Sequence, residues 1–498
     1  MNTMKHIPNI LIIASAVFIT GCDSYLDKEP IGLITQDQIN AEPTVSSITS
    51  SVNSTYQTLS STLNIIGEWN WDGATVLRDD FILQDIASGD MEKKWNPDGD
   101  QAWMDQIAAF NFTSMNGAFN GQWSYNYEGI ARANQAINIL EQDEVIASTD
   151  LDAATRDRLL GESYFLRAFY YFDLVNNFGD VPLLTEPLAN FSEAYEVTAR
   201  TPKEEVIEFI KSDLEMSVSM LPQQKYSSVS EPWRVSIGAA KSMQAKVALY
   251  DGDWNSVISY VDELQSWGFY SLNESYFDSF DVTKEFTEDE VIFAYDHQQG
   301  VNPSKGNGLA ALMGWGFVAP SDDFIASFEN NDPRLGYTVD VEAQEVHKLL
   351  GSTDGSFKGN ADSPGNKIYI RYADVLLWRA EALIQLGQIE EGLAIVDQIR
   401  ERARNTQAVN GSETPADALP PYSGQGLSQN EALAALIHER RVELGFESQR
   451  FMDLKRWELA NEVLTNLGKN FQDFNYLYPI PQGEIDKSGG QISQNPGY

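Results

Sequence analysis

The chain has 498 residues, of which 73 are acidic and 34 basic, so its formal net charge is −39. A surface this negative repels phosphate backbones and anionic lipid headgroups, which excludes nucleic acid as a partner and leaves neutral ligands open. The chain has one cysteine and four histidines. These counts argue against a multi-histidine metal site and a histidine-based triad, and a single cysteine cannot form a disulfide framework.

The first 21 residues have the three parts of an export signal. Lys5 supplies the positive charge, residues 10–19 form an apolar run, and Cys22 follows a short Thr-Gly pair. The run is too short to span a bilayer, which needs about 20 residues. The tetrapeptide ITGC, ending at Cys22, resembles the lipobox of bacterial lipoproteins, whose cysteine becomes the N-terminus and bears acyl chains. We therefore expect a signal peptide over 1–21 and a lipid anchor on Cys22, because a free thiol is unsuited to an oxidising space.

Two amphipathic segments follow. Residues 125–142, "YNYEGIARANQAINILEQ", repeat apolar side chains at spacings of three and four. Residues 161–184, "GESYFLRAFYYFDLVNNFGDVPLL", continue in the same way until Gly179 and Pro182. The pattern predicts two helices that pack as a pair.

Two later stretches are similar to each other. Residues 245–264 and 380–399 align without gaps on Gly252 and Gly387, with an alanine seven residues before each glycine. Small residues let two helices approach closely, and the glycine ends the first helix. This pattern is typical of tetratricopeptide-type helical hairpins, which stack into a curved scaffold.

Irregular segments rich in Gly, Asn, Asp, Pro and Ser separate the helices, at 64–110, 265–365 and 405–428. Long loops of this kind are usually functional or disordered. The first two contain rings, which argues against disorder: Trp69, Trp71, Trp95, Trp103, Tyr270, Tyr276, Tyr295, Trp315 and Phe317. Exposed rings on loops would present flat apolar faces to a ligand, and sugar rings have matching faces.

Charged residues of both signs alternate in "ERRVELGFESQRFMDLKRW", residues 439–457. Several are three or four residues apart, the spacing of neighbours on a helix. Such pairs more often form a structural network than a catalytic site, and we expect Arg450 to form a buried pair with Glu443 or Asp453.

Seven stretches occur in a fixed order along the chain: "CDSYLDKEP" (22–30), "FLRAFYYFDLVNNFGDVPL" (165–183), "NNDPR" (330–334), "IRYADVLLWRAEAL" (370–383), "HERRVELGFESQRFMDLKRW" (438–457), "YLYPIPQGEI" (476–485) and "QNPGY" (494–498). Through them the chain resembles, nearly end to end, the SusD/RagB family of Bacteroidetes outer-membrane nutrient-binding lipoproteins. The resemblance implies a mainly all-α fold with tetratricopeptide-like helical hairpins packed against a loop-rich ligand-binding part. It also implies one SusD-like domain over 22–498, with an N-terminal part to about 300 and a C-terminal RagB/SusD part from about 301.

The resemblance further implies a lipid-anchored protein of the cell outer membrane that faces the cell surface. Family members act as lids on a SusC-like TonB-dependent transporter and deliver captured nutrients to it. This implies a binding protein without catalysis or a cofactor.

The family's sugar sites combine an arc of aromatic rings with a nearby arginine, asparagine or aspartate. Rings stack on the apolar face of a pyranose and polar groups bind its hydroxyls, so a neutral oligosaccharide needs no metal. The residues here that fit this combination are Trp71, Arg78, Asp79, Trp95, Asn96, Tyr295 and Trp315. Asp98 and Asp100 flank Gly99, but they supply too few oxygens for a calcium loop, and we expect a solvated turn.

Two alternatives to a non-catalytic glycan-binding lipoprotein stay open. A peptide-binding lid of the RagB type would use the same fold, with a preference for basic or neutral peptides on this acidic surface. A surface glycoside hydrolase would need two carboxylates roughly 5 to 10 Å apart across a cleft. The rings in the loops favour the glycan.

Overall fold

The protein is described from a computed structural model that covers residues 43–66, 75–94, 99–188 and 199–498. The predicted signal peptide and Cys22 lie outside the described residues. The α-helices of the described part are α1 (Val45–Tyr56), α2 (Ala102–Ala109), α3 (Gly117–Glu141), α4 (Asp143–Ala147), α5 (Ala153–Phe178), α6 (Lys203–Met220), α7 (Ile237–Asp251), α8 (Trp254–Ser266), α9 (Leu309–Gly314), α10 (Asp322–Ala326), α11 (Arg334–Thr338), α12 (Tyr372–Gln385), α13 (Ile389–Asn405), α14 (Gln429–Glu443), α15 (Arg450–Arg456), α16 (Ala460–Asn466) and α17 (Gln482–Lys487).

The strands in the same part of the chain are short. They are β1 (Met91–Lys93), β2 (Val181–Pro182), β3 (Arg200–Thr201), β4 (Val291–Tyr295), β5 (Val318–Pro320), β6 (Val339–Asp340), β7 (Glu345–Val346) and β8 (Lys367–Arg371). They form two-stranded antiparallel ladders, β1 with β5, β2 with β3, β4 with β8 and β6 with β7. The prediction of a mainly all-α fold is therefore confirmed.

The predicted helical pair is α3 and α5. The Asn116 side chain accepts a hydrogen bond from the Ala118 N–H at the start of α3, and the Asp152 side chain accepts one from the Thr155 N–H at the start of α5. These caps satisfy amide groups that have no partner in the first helical turn. Helix α5 ends at Gly179, which has a φ of 74°. The two helices pack against each other, and α5 also packs on α6.

Both predicted hairpins are present, as α7 with α8 and α12 with α13. Gly252, at the end of α7, has a φ of 71°, a left-handed conformation that glycine adopts at low cost. In the second hairpin, a Cβ on Gly392 would lie 2.5 Å from Ile384 Cγ1, so the two helices touch where glycine leaves room. Helix α8 packs on α12, which joins the two hairpins, and α14 continues the array. One hydrophobic core extends through the array, from Ile48 to Ile492.

A buried ion network joins the helices of the C-terminal half. Glu443 accepts hydrogen bonds from Arg334, Arg371 and Arg402. Burial opposes ionisation of Glu443, but these three cations outweigh it and hold its pKa well below the ordinary value. The charged stretch at 439–457 is therefore structural, as predicted.

The predicted partner of Arg450 is wrong. Arg450 forms an ion pair with neither Glu443 nor Asp453, because the three arginines above occupy Glu443 and because Arg440 and Arg456 occupy Asp453. The sequence spacing placed Arg450 near both carboxylates but gave no information on competing arginines elsewhere in the chain.

The structure agrees with the predicted irregular segments at some positions and not at others. The loop prediction for 64–110 is wrong around Trp103, which lies in α2, is buried, and donates from Nε1 to Gln101 Oε1 at 2.7 Å. Residues 406–428 contain neither helix nor strand, as predicted. Within the described ranges, none of the helices is long and apolar enough to cross a membrane.

Candidate functional site

Three segments join in one region, residues 59–66, 295–317 and 354–366, which we call the loop cluster although it includes the short helix α9. The Gly308 N–H donates to the Ser61 carbonyl at 2.8 Å, and the Asn307 N–H donates to the Ser363 carbonyl at the same distance. The Gly359 N–H donates to the Ala310 carbonyl at 3.0 Å. Backbone bonds between segments so distant in sequence fix the cluster on the scaffold.

Trp315 is the exposed ring of the loop cluster. It follows α9, its N–H donates to the Ala311 carbonyl at 2.7 Å, and 46% of its surface is exposed. The Phe317 ring lies edge-on to it, with 6.3 Å between ring centroids. A large exposed apolar side chain on an ordered loop is a feature of binding surfaces.

A close backbone contact sets the position of Trp315. Gly314 packs directly on Gly359, which has a φ of 75° and lies beside the Trp315 ring. A Cβ on Gly359 would be 3.8 Å from Trp315 Cδ1. The indole therefore lies beside a backbone contact that leaves no room for a side chain at Gly314.

Tyr295 lies beneath this surface. It is 7% exposed, and its ring centroid is 4.8 Å from that of His297. His297 Nδ1 lies 2.7 Å from the Lys305 carbonyl and the Ser61 N–H donates to Nε2, so the hydrogen of the neutral ring is on Nδ1. Burial lowers the pKa of His297 to about 3, which keeps it neutral. His297, which links Tyr295 to the loops, was not among the residues predicted for the site.

Arg78 and Asp79 are also buried, each with 1% of its surface exposed. Arg78 Nε lies 2.9 Å from Asp80 Oδ1, and Nη2 lies 3.0 Å from Asp173 Oδ2. Burial raises the pKa of the Asp79 carboxyl well above its ordinary value. These two residues therefore do not share the exposed position of Trp315, and their predicted contact with ligand stays a prediction.

The other predicted site residues, Trp71, Trp95 and Asn96, lie outside the described residues. Described residues close to them in the sequence form backbone hydrogen bonds with the loop cluster. The Asn64 N–H donates to the Val76 carbonyl at 2.6 Å, and the Lys94 N–H donates to the Phe317 carbonyl at 2.9 Å. Lys94, next to Trp95 in the sequence, thus contacts the residue two positions after Trp315.

Two lysines of this region lie close to one carboxylate, that of Glu345. Lys358, next to Gly359, forms an ion pair with Glu345, and Lys94 Nζ lies 3.6 Å from the same carboxylate. Asp362 Oδ2 accepts from the Gly300 N–H at 2.8 Å. In the described ranges no group of three or more His, Cys, Asp or Glu side chains could hold a metal ion, and Asp98 of the predicted turn lies outside them.

Two family models match this chain. The model described as "SusD family" matches residues 344–476, and the one described as "Starch-binding associating with outer membrane" matches residues 24–249. Among curated proteins, SusD-like protein P2 of Formosa agariphila is 27% identical, over 98% of this chain and 99% of its own length. SusD-like protein P25 of the same organism is 24% identical, over 96% of each chain.

Solved structures share the fold. Surface glycan-binding protein A from Bacteroides fluxus superposes with a TM-score of 0.72 at 23% identity, covering 91% of this chain and 99% of that one. A laminarin binding SusD-like protein gives the same TM-score and coverage at 24% identity. So does surface glycan-binding protein A from Bacteroides thetaiotaomicron in complex with laminarihexaose, at 20% identity.

Proposed function

Since this chain belongs to the SusD family, we propose that it is a non-catalytic cell-surface lipoprotein that captures a neutral oligosaccharide. We further propose that it delivers the glycan to a SusC-like TonB-dependent transporter. The exposed indole of Trp315, on a loop cluster fixed by backbone bonds, is the observation that most supports a binding surface here.

The chemistry around Trp315 suits a neutral ligand. A pyranose stacks on an indole through its C–H face, and this contact needs no charge. Lys358 and Lys94 both lie near the carboxylate of Glu345, which offsets part of their positive charge. The binding of laminarin and laminarihexaose by two structural relatives supports an oligosaccharide as the ligand class.

The other candidate residues are proposed either as direct ligand contacts or as buried support for the binding surface. We propose Trp71, Trp95 and Asn96 as further ligand contacts, since the described residues beside them bind the loop cluster. Arg78, Asp79 and Tyr295 are proposed as support beneath it, because each is more than nine-tenths buried.

We propose attachment to the outer membrane through acyl chains on Cys22, after removal of residues 1–21. The match to a model named for association with the outer membrane supports this location. We propose one domain over 22–498 with two parts that meet near residue 300, since the two family models match on either side of that position.

Calorimetric titration tests the proposal. The full-length protein, purified in detergent, is titrated with laminarihexaose, cellohexaose, maltohexaose and a mixture of neutral and basic oligopeptides, and every mixture is analysed for products. We expect saturable binding of at least one oligosaccharide without products. Trp315→Ala should weaken it by about tenfold or more, because loss of an aromatic anchor costs about 2 kcal/mol.

Phe474→Ala is the matched control, since Phe474 is a ring of similar exposure, 39%, outside the loop cluster. It should bind the glycan as the wild type does. Binding of peptides alone would instead establish the RagB-type alternative, and release of sugar products would establish a hydrolase.

A further inference from the structure

A cavity of about 110 Å³ lies between the loop cluster and the helical scaffold. Asn307 and Leu309 of the loop cluster form part of its wall, and α5 and α7 form the opposite part. A single water needs about 10 to 15 Å³ of such space, so the cavity is large enough for a small organic molecule. Apolar side chains dominate the wall, among them Phe169, Phe172, Met243, Tyr250, Phe446 and Met452.

Most charged groups in this wall have a partner of opposite charge. Arg78 pairs with Asp80 and Asp173, Lys367 pairs with Asp80, and Lys348 Nζ lies 2.6 Å from Glu447 Oε1. Pairing of this kind is what makes buried charges tolerable.

Lys246 on α7 differs from the other cations of the wall. No carboxylate of the described residues lies within 4 Å of its Nζ; its hydrogen bond goes to the neutral Gln449 Oε1, at 3.1 Å. The Trp378 ring centroid is 5.7 Å from Nζ. Burial lowers the pKa of this ammonium, as expected for a cation whose charge is poorly compensated.

An ammonium has three hydrogens to donate, so Lys246 retains donors for a further acceptor. Gln449 also lines the cavity, and its side chain carries an amide N–H group in addition to the oxygen that binds Lys246. Met243 and Tyr250, from the same helix as Lys246, place apolar surface next to these donors. One cation without an ion-pair partner within 4 Å among the described residues, beside apolar surface, matches a ligand with one negative charge and an apolar body.

We propose that this cavity is a second ligand site, which binds a small monocarboxylate with its carboxylate on Lys246 and its body among the apolar side chains. Trp315 does not line this cavity. A carboxylate there would supply the negative counter-charge that the Lys246 ammonium lacks. The body of the ligand would fill space between the loop cluster and the scaffold.

Titration of the full-length protein with benzoate, and with benzamide as its uncharged counterpart, tests this proposal. We expect saturable binding of benzoate and at least about tenfold weaker binding of benzamide, since only the carboxylate forms a charge-assisted hydrogen bond with Lys246. Lys246→Met should weaken benzoate binding by a similar factor.

Lys241→Met is the matched control. Lys241 lies on the same helix but outside the cavity wall, and its Nζ lies 2.9 Å from Glu263 Oε2. It should bind benzoate unchanged, as should Trp315→Ala.

A crystal structure grown with benzoate should show the carboxylate in hydrogen-bond contact with Lys246 Nζ. This measurement, with the comparison of benzoate and benzamide, decides the question even if Lys246→Met fails to fold. Equal binding of the acid and the amide, no binding of benzoate, or a cavity that holds water alone would overturn the proposal.

Discussion

Gly314 and Gly359 approach so closely that a Cβ on Gly314 would lie 1.9 Å from the backbone nitrogen of Gly359. No side chain fits at this distance, so the contact requires glycine at position 314. Trp315 is the next residue, and its ring lies against Gly359. The backbone contact between the end of α9 and the loop at Gly359 therefore determines where the exposed indole lies.

Gly314→Ala should weaken glycan binding by about tenfold, the effect also expected for Trp315→Ala. The added methyl group would push the end of α9 away from Gly359 and move the indole. Calorimetric titration with the glycan identified for the wild type measures the effect. Gly483→Ala, where a Cβ would meet nothing within 4 Å, is the control and should leave affinity unchanged. Wild-type affinity in Gly314→Ala would show that the indole position does not matter for binding.

Glu443→Gln should lower the free energy of unfolding by about 3–5 kcal/mol, because it leaves three buried arginines short of a negative charge. Urea denaturation followed by circular dichroism measures this change. Glu462→Gln, at an exposed position, should change stability by less than about 0.5 kcal/mol. A loss of under about 1 kcal/mol for Glu443→Gln would mean that the network contributes little.

Glu285→Gln should stabilise the protein increasingly as pH rises from about 4.5 to 8. Burial raises the pKa of Glu285 from 4.5 to about 8, although the Asn366 N–H donates to Oε1 at 2.8 Å. Between these values the unfolded chain ionises Glu285 and the folded protein keeps it protonated, so the wild type loses stability with rising pH. The difference between the variant and the wild type should grow by up to about 1.4 kcal/mol per pH unit. Urea titrations at pH 5, 6.5 and 8 measure it, and a difference independent of pH would contradict the raised pKa.

Gly392→Ala should lower the free energy of unfolding by about 1–3 kcal/mol, since the added methyl group would lie 2.8 Å from the Ala380 carbonyl oxygen as well as against Ile384. Thermal and urea denaturation measure the loss, with Gly483→Ala again as the control. Unchanged stability would show that α12 and α13 can separate without cost.

Local spacing predicted the helical pair α3 and α5 and the hairpins that contain Gly252 and Gly387. Those elements depend on periodicity and on glycine at helix ends, which are properties of adjacent residues. The partners of Glu443 could not be predicted, because Arg334, Arg371 and Arg402 lie 109, 72 and 41 residues away in the sequence.

Exposure of the site residues was predictable only in part. Trp315 lies between Gly314 and Gly316, and a loop at its position follows from that local sequence. Tyr295 lies in β4, where pairing with Lys367 of β8 buries it, and Arg78 binds Asp173 of α5, 95 residues away. Lys246 was not predicted as a site residue, because its segment has the pattern of a scaffold hairpin, although a lysine between Ala245 and Val247 interrupts an apolar stretch.

Residues 406–428 connect α13 to α14 without helix or strand, and buried ion pairs join the two helices on either side. Arg400 contacts Glu439 at 2.9 Å, and Arg402 contacts Glu443. The attachment between the helices therefore does not depend on the connection itself. A protease that nicks this segment should produce two fragments that stay together as one particle, and this is a position where the chain can be opened, lengthened or fused to another protein while its architecture is kept.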